Sequence, residues 1–106
     1  MEVTREAARR IRRRTGELYL WLEPVGGAWV SDELDYVRPE RIEFRAYHDA
    51  GIDVFVATNI KARLLRVVPR FWPLRGIKAF VDGKRWGARG RVGGETALDF
   101  TGAGPP

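Results

Sequence analysis

The stretch Ile42-Glu43-Phe44-Arg45-Ala46-Tyr47-His48-Asp49-Ala50-Gly51-Ile52-Asp53-Val54-Phe55-Val56-Ala57 sets the architecture. Ile42, Phe44 and Ala46 alternate with Glu43, Arg45 and Tyr47; Ile52, Val54 and Val56 alternate with Asp53, Phe55 and Ala57. Successive side chains of an extended chain point to opposite faces, so each run presents one apolar row to a core. Asp49-Ala50-Gly51 between them accepts turn geometry, and residues 42–57 predict a β-hairpin.

Upstream, Leu18, Leu20 and Leu22 alternate with Tyr19, Trp21 and Glu23, which are also largely apolar, as expected of a central strand. Pro24-Val25-Gly26-Gly27 predicts a turn, residues 28–31 a short strand, and residues 32–41 an acidic loop. Thr4 predicts the N-cap of a helix running to about Thr15, with Gly16 as its left-handed stop. Val3, Ala7, Ala8 and Ile11 make its apolar stripe, and Arg5, Arg9, Arg10, Arg12, Arg13 and Arg14 occupy the rest.

Downstream, Thr58 or Asn59 predicts the cap of a second short helix with Ile60, Leu64, Leu65 and Val68 on one face and Pro69 as its end. Phe71-Trp72-Pro73 is expected to plug the core. Ile77, Ala79 and Val81 predict another strand, closed by the turn at Asp82-Gly83. The layout is a single α+β domain over residues 2–86, β-rich, with an N-terminal helix and a second short helix. Its expected core contains Leu20, Leu22, Phe44, Val54, Val56, Leu64, Ile77 and Val81. Residues 87–106 are Gly-rich without periodicity and are expected to form a disordered tail.

The chain has 106 residues, 44% of them hydrophobic and 31% charged, which suits one globular domain. Its lack of cysteine excludes disulfides, a thiol nucleophile and thiolate-held metal within the chain, and fits a reducing compartment. No apolar run approaches the roughly 18–20 residues of a membrane span, so a cytoplasmic location is expected. The net charge of +5 is unevenly spread: +4 over residues 1–16, −6 over 17–59, +9 over 60–91 and −2 over 92–106. Sixteen arginines stand against three lysines. The guanidinium fork suits oxyanions, although a GC-rich genome produces the same bias.

Catalytic chemistry is thinly represented. His48 is the single histidine, and no motif surrounds it; it reads as a structural residue, with Asp49 and Asp53 as solvated turn carboxylates rather than a metal or acid–base cluster. There is no P-loop, dinucleotide fingerprint or Gly-x-Ser-x-Gly elbow. The chain therefore reads as a non-enzyme without cofactor or metal. A nucleic-acid reading draws phosphate contacts from Arg5, Arg9, Arg12, Lys61, Arg63 and Arg66, with Phe71, Trp72, Phe80 and Trp86 and the later Arg89 and Arg91 nearby in sequence.

Val3-Thr4-Arg5-Glu6-Ala7-Ala8-Arg9-Arg10-Ile11, the strand at Leu18 to Glu23, Gly26-Gly27-Ala28, Gly51-Ile52-Asp53-Val54-Phe55-Val56 and the expected short helix from Thr58 to Leu65 occur in an order that resembles the HesB-like family, the A-type carriers of iron-sulfur assembly. The resemblance covers about residues 3–82. It implies a compact β-sandwich-like domain, and it places Ala28 where the family has its first cysteine ligand. The terminal Cys-Gly-Cys has no counterpart in residues 87–94. An iron-sulfur site demands sulfur donors, so the resemblance implies a HesB-like protein without a cluster, working through an unknown protein partner. Weak DNA or RNA binding through the basic surface is the alternative.

Overall fold

The structure, a computed structural model, describes residues 1–88. Its elements are β1 (Glu2–Val3), α1 (Arg5–Arg12), β2 (Glu17–Gly26), β3 (Trp29–Asp35), β4 (Phe44–Asp49), β5 (Ile52–Ala57), β6 (Leu65–Pro69), β7 (Ile77–Val81) and β8 (Lys84–Trp86). Among the described residues they form two four-stranded sheets, ordered β3-β2-β5-β4 and β1-β6-β7-β8, and one short helix. The coarse α+β, β-rich layout is as expected. No helix of the described residues is long and apolar enough to cross a membrane.

The hairpin forms, but β4 turns its other face to the core: Arg45, Tyr47 and Asp49 stand opposite Val56, Val54 and Ile52 of the buried row, whereas Phe44 and Ala46, expected to face the core, stand opposite Ala57 and Phe55, and Ala46 is exposed. The two-residue turn at Ala50-Gly51 sets Asp49 against Ile52, and that register fixes which row of β4 shares the buried face. Strand β2 is central: it pairs antiparallel with β3 and parallel with β5, Leu18 opposite Val54 and Leu20 opposite Val56. These residues and Ile52 form one core with Ala7, Ala8 and Ile11 of α1 and with Leu65, Val67, Ile77, Ala79 and Val81 of the other sheet. The helix starts where Thr4 Oγ1 accepts the Ala7 N–H, at 3.2 Å. It ends at Arg12, short of the expected Thr15, with Arg13 as its C-cap; turns carry the chain on to Gly16, whose N–H reaches the Ile11 carbonyl and whose φ of +79° favours a residue without Cβ.

Residues 58–64 and β6 replace the expected second helix. Leu65 and Val67 are buried on one face of β6, between parallel β1 and antiparallel β7. Forming a helix there would leave β1 and β7 without their ladder partner. In residues 58–64, the Arg63 and Leu64 N–H groups donate to Asp82 Oδ1 at 2.9 and 2.8 Å. Leu64, expected in the core, is 53% exposed; Leu22 and Phe44 are half-buried against the core, and the other five expected residues are buried. The expected acidic loop begins later, because β3 continues to Asp35.

Phe71 and Trp72 are also not a core plug: they are 81% and 84% exposed. The β6–β7 turn that carries them is closed at its base by the Arg70 N–H donating to the Gly76 carbonyl. Two contacts join the edges of the sheets: Trp86 Nε1–H donates to the Glu33 carbonyl at 2.8 Å, and the Gly87 N–H to Asp32 Oδ2 at 2.6 Å. Of the segment read as a tail, residues 89–106 lie outside the described residues.

Candidate functional site

The last turn of α1, the end of β3 and the β6–β7 turn meet around Tyr36. Two contiguous hollows of about 490 and 380 Å³ share Arg14, Tyr36, Arg75 and Gly76 in their walls. The first adds Glu6, Arg10 and Arg13; the second adds Asp35, Arg70 and Arg85. Six guanidinium groups thus line one groove against two carboxylates among the described residues.

Both carboxylates are already engaged. Glu6 pairs with Arg10, whose Nε donates to Oε2 at 3.0 Å, and with Arg9. These two guanidiniums, Arg10 foremost, hold the Glu6 carboxyl below its usual range. Asp35 Oδ1 accepts the Tyr36 N–H at 2.7 Å. Arg10 also fixes the groove wall, since its Nη1 donates to the Gly76 carbonyl at 2.8 Å and to the Arg70 carbonyl at 3.4 Å. None of Arg13, Arg14, Arg70, Arg75 and Arg85 forms an ion pair among the described residues.

Arg14 lies over the Tyr36 ring, 4.6 Å from its centroid, and Thr15 Oγ1 donates to the Tyr36 carbonyl at 2.6 Å. Burial raises the Tyr36 hydroxyl above its ordinary range, opposed by Arg14, Arg10 and Arg70. The Arg85 guanidinium is shifted downward, chiefly by burial and then by Arg70. Converging like charges are what an incoming anion would relieve, and guanidinium groups bind phosphate oxygens in pairs.

The six basic residues expected from sequence lie elsewhere. Arg5, Arg9, Arg12, Lys61, Arg63 and Arg66 are exposed, and none lines a described hollow. Arg12 Nη1 donates to the Ala50 carbonyl at 2.8 Å, Arg9 is held by Glu6, and Arg66 Nε stands 3.7 Å from Glu2 Oε1. The groove arginines that sequence reading passed over carry one local signal: Arg70 and Arg75 bracket Phe71-Trp72-Pro73-Leu74.

His48 Nδ1 sits 2.7 Å from Asp53 Oδ1 on the exposed hairpin, while Asp49, next along β4, points to the other face. No group of three or more His, Cys, Asp or Glu side chains among the described residues is placed to hold a metal ion. Elsewhere on the β3-β2-β5-β4 sheet, the Arg38 guanidinium lies 5.3–5.9 Å from the ring centroids of Phe44, Phe55 and Tyr19. Tyr19 and Phe55 stack at 4.8 Å, and Phe44 meets Tyr19 edge-on at 5.2 Å. Comparison of the chain with protein-family models, curated proteins and solved structures finds no match.

Proposed function

We propose that this chain is a non-catalytic binding protein that takes the phosphate backbone of a nucleic acid into the groove around Tyr36. The observation that carries this reading is the convergence of Arg10, Arg13, Arg14, Arg70, Arg75 and Arg85 on one concavity whose carboxylates, Glu6 and Asp35, are already engaged. Each phosphate neutralised there releases counterions, so binding weakens steeply with salt. The test is titration of a labelled oligonucleotide at low and at physiological ionic strength, using the wild type and Arg14→Ala/Arg70→Ala/Arg75→Ala. Salt-sensitive binding lost in the triple variant supports the reading. Equal binding by both proteins contradicts it.

A second reading rests on a different surface. Val25, Trp29 and Val30 are 61%, 77% and 53% exposed around the β2–β3 turn at Gly26-Gly27-Ala28. This turn is where the HesB-like resemblance has its first cluster ligand, and the Ala28 methyl offers no donor. A cytoplasmic HesB-like scaffold without a cluster would meet a protein partner through this apolar tip. Helix, central strand and hairpin follow one another in the order the resemblance requires, while the short helix it requires at Thr58 to Leu65 is replaced by residues 58–64 and the start of β6. Association through the tip would tolerate salt and be lost in Trp29→Ala, whereas the groove triple variant would retain it.

A further inference from the structure

The β6–β7 turn does more than supply two arginines to the groove. Its base is pinned by the Arg70 N–H to the Gly76 carbonyl, at 3.2 Å, and by the Arg10 guanidinium to the carbonyls of Arg70 and Gly76. Its tip is closed by the Leu74 N–H donating to the Phe71 carbonyl at 2.8 Å. Between these fixed points Phe71, Trp72 and Leu74 are 81%, 84% and 50% exposed. The fold therefore holds two aromatic rings in water on a tethered finger at the rim of a cationic groove.

We propose, resting on the groove reading above, that the ligand is a single-stranded nucleic acid: its phosphates lie along the arginines and its bases stack on Trp72 and Phe71. Bases of a single strand present free π faces, whereas a duplex has already used them in its own stack, leaving the finger nothing to pair with. Trp72 follows Arg70 by two residues, so their Cα atoms lie within roughly 7 Å of each other on the same turn. A strand whose phosphates meet Arg70 therefore has its bases beside the turn that carries Trp72. An anionic bilayer would also attract cations and aromatics, but it is a plane that meets the protruding tip, while a flexible strand follows the wall into the concavity.

The experiment compares an oligo(dT) of about 12 nucleotides, a duplex of the same length, inorganic polyphosphate and phosphatidylserine vesicles. Each is titrated against wild type, Phe71→Ala/Trp72→Ala and Arg14→Ala/Arg70→Ala/Arg75→Ala at low salt. The proposal expects the aromatic double variant to lose at least tenfold in oligo(dT) affinity, to hold polyphosphate within twofold, and the wild type to prefer oligo(dT) over the duplex. If oligo(dT) binds both proteins equally while the arginine variant loses it, the stacking proposal falls and the groove reading stands. Preference for the duplex overturns the proposal in the same way. Vesicle binding that depends on the finger, with oligo(dT) unaffected, overturns it in favour of a membrane. No binding of oligo(dT), duplex or polyphosphate to the wild type sinks both readings.

Discussion

Arg38 and Arg14 each lie over a tyrosine ring, and the surfaces around them are opposites. Arg38 lies near three rings, Tyr19, Phe44 and Phe55, which pack against one another. The carboxylates around that sheet face are taken up locally: Glu17 by the Tyr19 hydroxyl, Glu23 by Trp21 Nε1–H at 2.8 Å and Glu33 by Ser31 Oγ at 2.7 Å. Arg14, by contrast, meets Tyr36 in a groove with five further arginines and two engaged carboxylates. A cation over a ring marks a completed surface when its neighbours are satisfied, and a receptive one when they repel.

The largest expected effect tests the completed surface. Tyr19 is 2% exposed, so Tyr19→Ala removes a buried ring with two aromatic partners. It should lower unfolding free energy by about 3–5 kcal/mol in urea denaturation; a loss below about 1 kcal/mol would show that this face does not hold the sheet together. Next, Arg14→Ala/Arg70→Ala/Arg75→Ala should weaken oligonucleotide binding on the order of 100-fold at low salt, at about 1 kcal/mol per arginine. The same variant should change the melting temperature little, because the repulsion removed offsets the loss of the Arg14 contact with Tyr36, worth about 0.5–1 kcal/mol.

Arg38→Ala should do the reverse on a smaller scale. Losing an exposed cation–π contact costs about 0.5–1 kcal/mol of stability, with oligonucleotide binding unchanged. A binding loss equal to that of the groove variant would erase the distinction between the two surfaces. The smallest effect concerns pH. Burial raises the Tyr36 hydroxyl in the folded chain above its unfolded value near 10.0, so the folded state retains a proton that the unfolded state releases. Stability is therefore fully present below that value and declines as pH rises through the window up to the folded value. Tyr36→Phe should show a smaller decline than the wild type, with the remainder coming from Tyr19, which burial and Glu17 raise in the same direction, measured as the difference in denaturation midpoints between pH 9 and 11.

The contrast between strands read correctly and strands missed has the same local origin. Alternation over 52–56 and 77–81 has one structural meaning, because Ile52, Val54, Val56, Ile77, Ala79 and Val81 are buried and the residues between them are not. On β4 the same alternation points to the wrong face, because the hairpin register and not the apolar row decides which side meets the core. Residues 60–68 satisfy two periods at once: Ile60, Leu64 and Val68 recur as in a helix, while Leu65 and Val67 alternate with Arg66. Pairing with β7 and β1 selects the extended form, and that selection is a long-range property. Strands β1 and β8, of two and three residues, are too short to carry a period. The groove was less legible than the fold, since Arg10 and Arg13 lie some sixty residues from Arg70 and Arg75 and meet only through the packing of α1 beside β6 and β7.

The most direct measurement is backbone amide chemical-shift mapping of the full chain as oligo(dT) is added. Shifts confined to Glu6 and residues 10–14, 34–36, 70–77 and 85–88, with the β4–β5 hairpin unmoved, are the expected result. Shifts centred instead on Arg5, Arg9, Lys61, Arg63 and Arg66, on the 24–30 turn, or around Arg38 would contradict the assignment of the ligand to the groove.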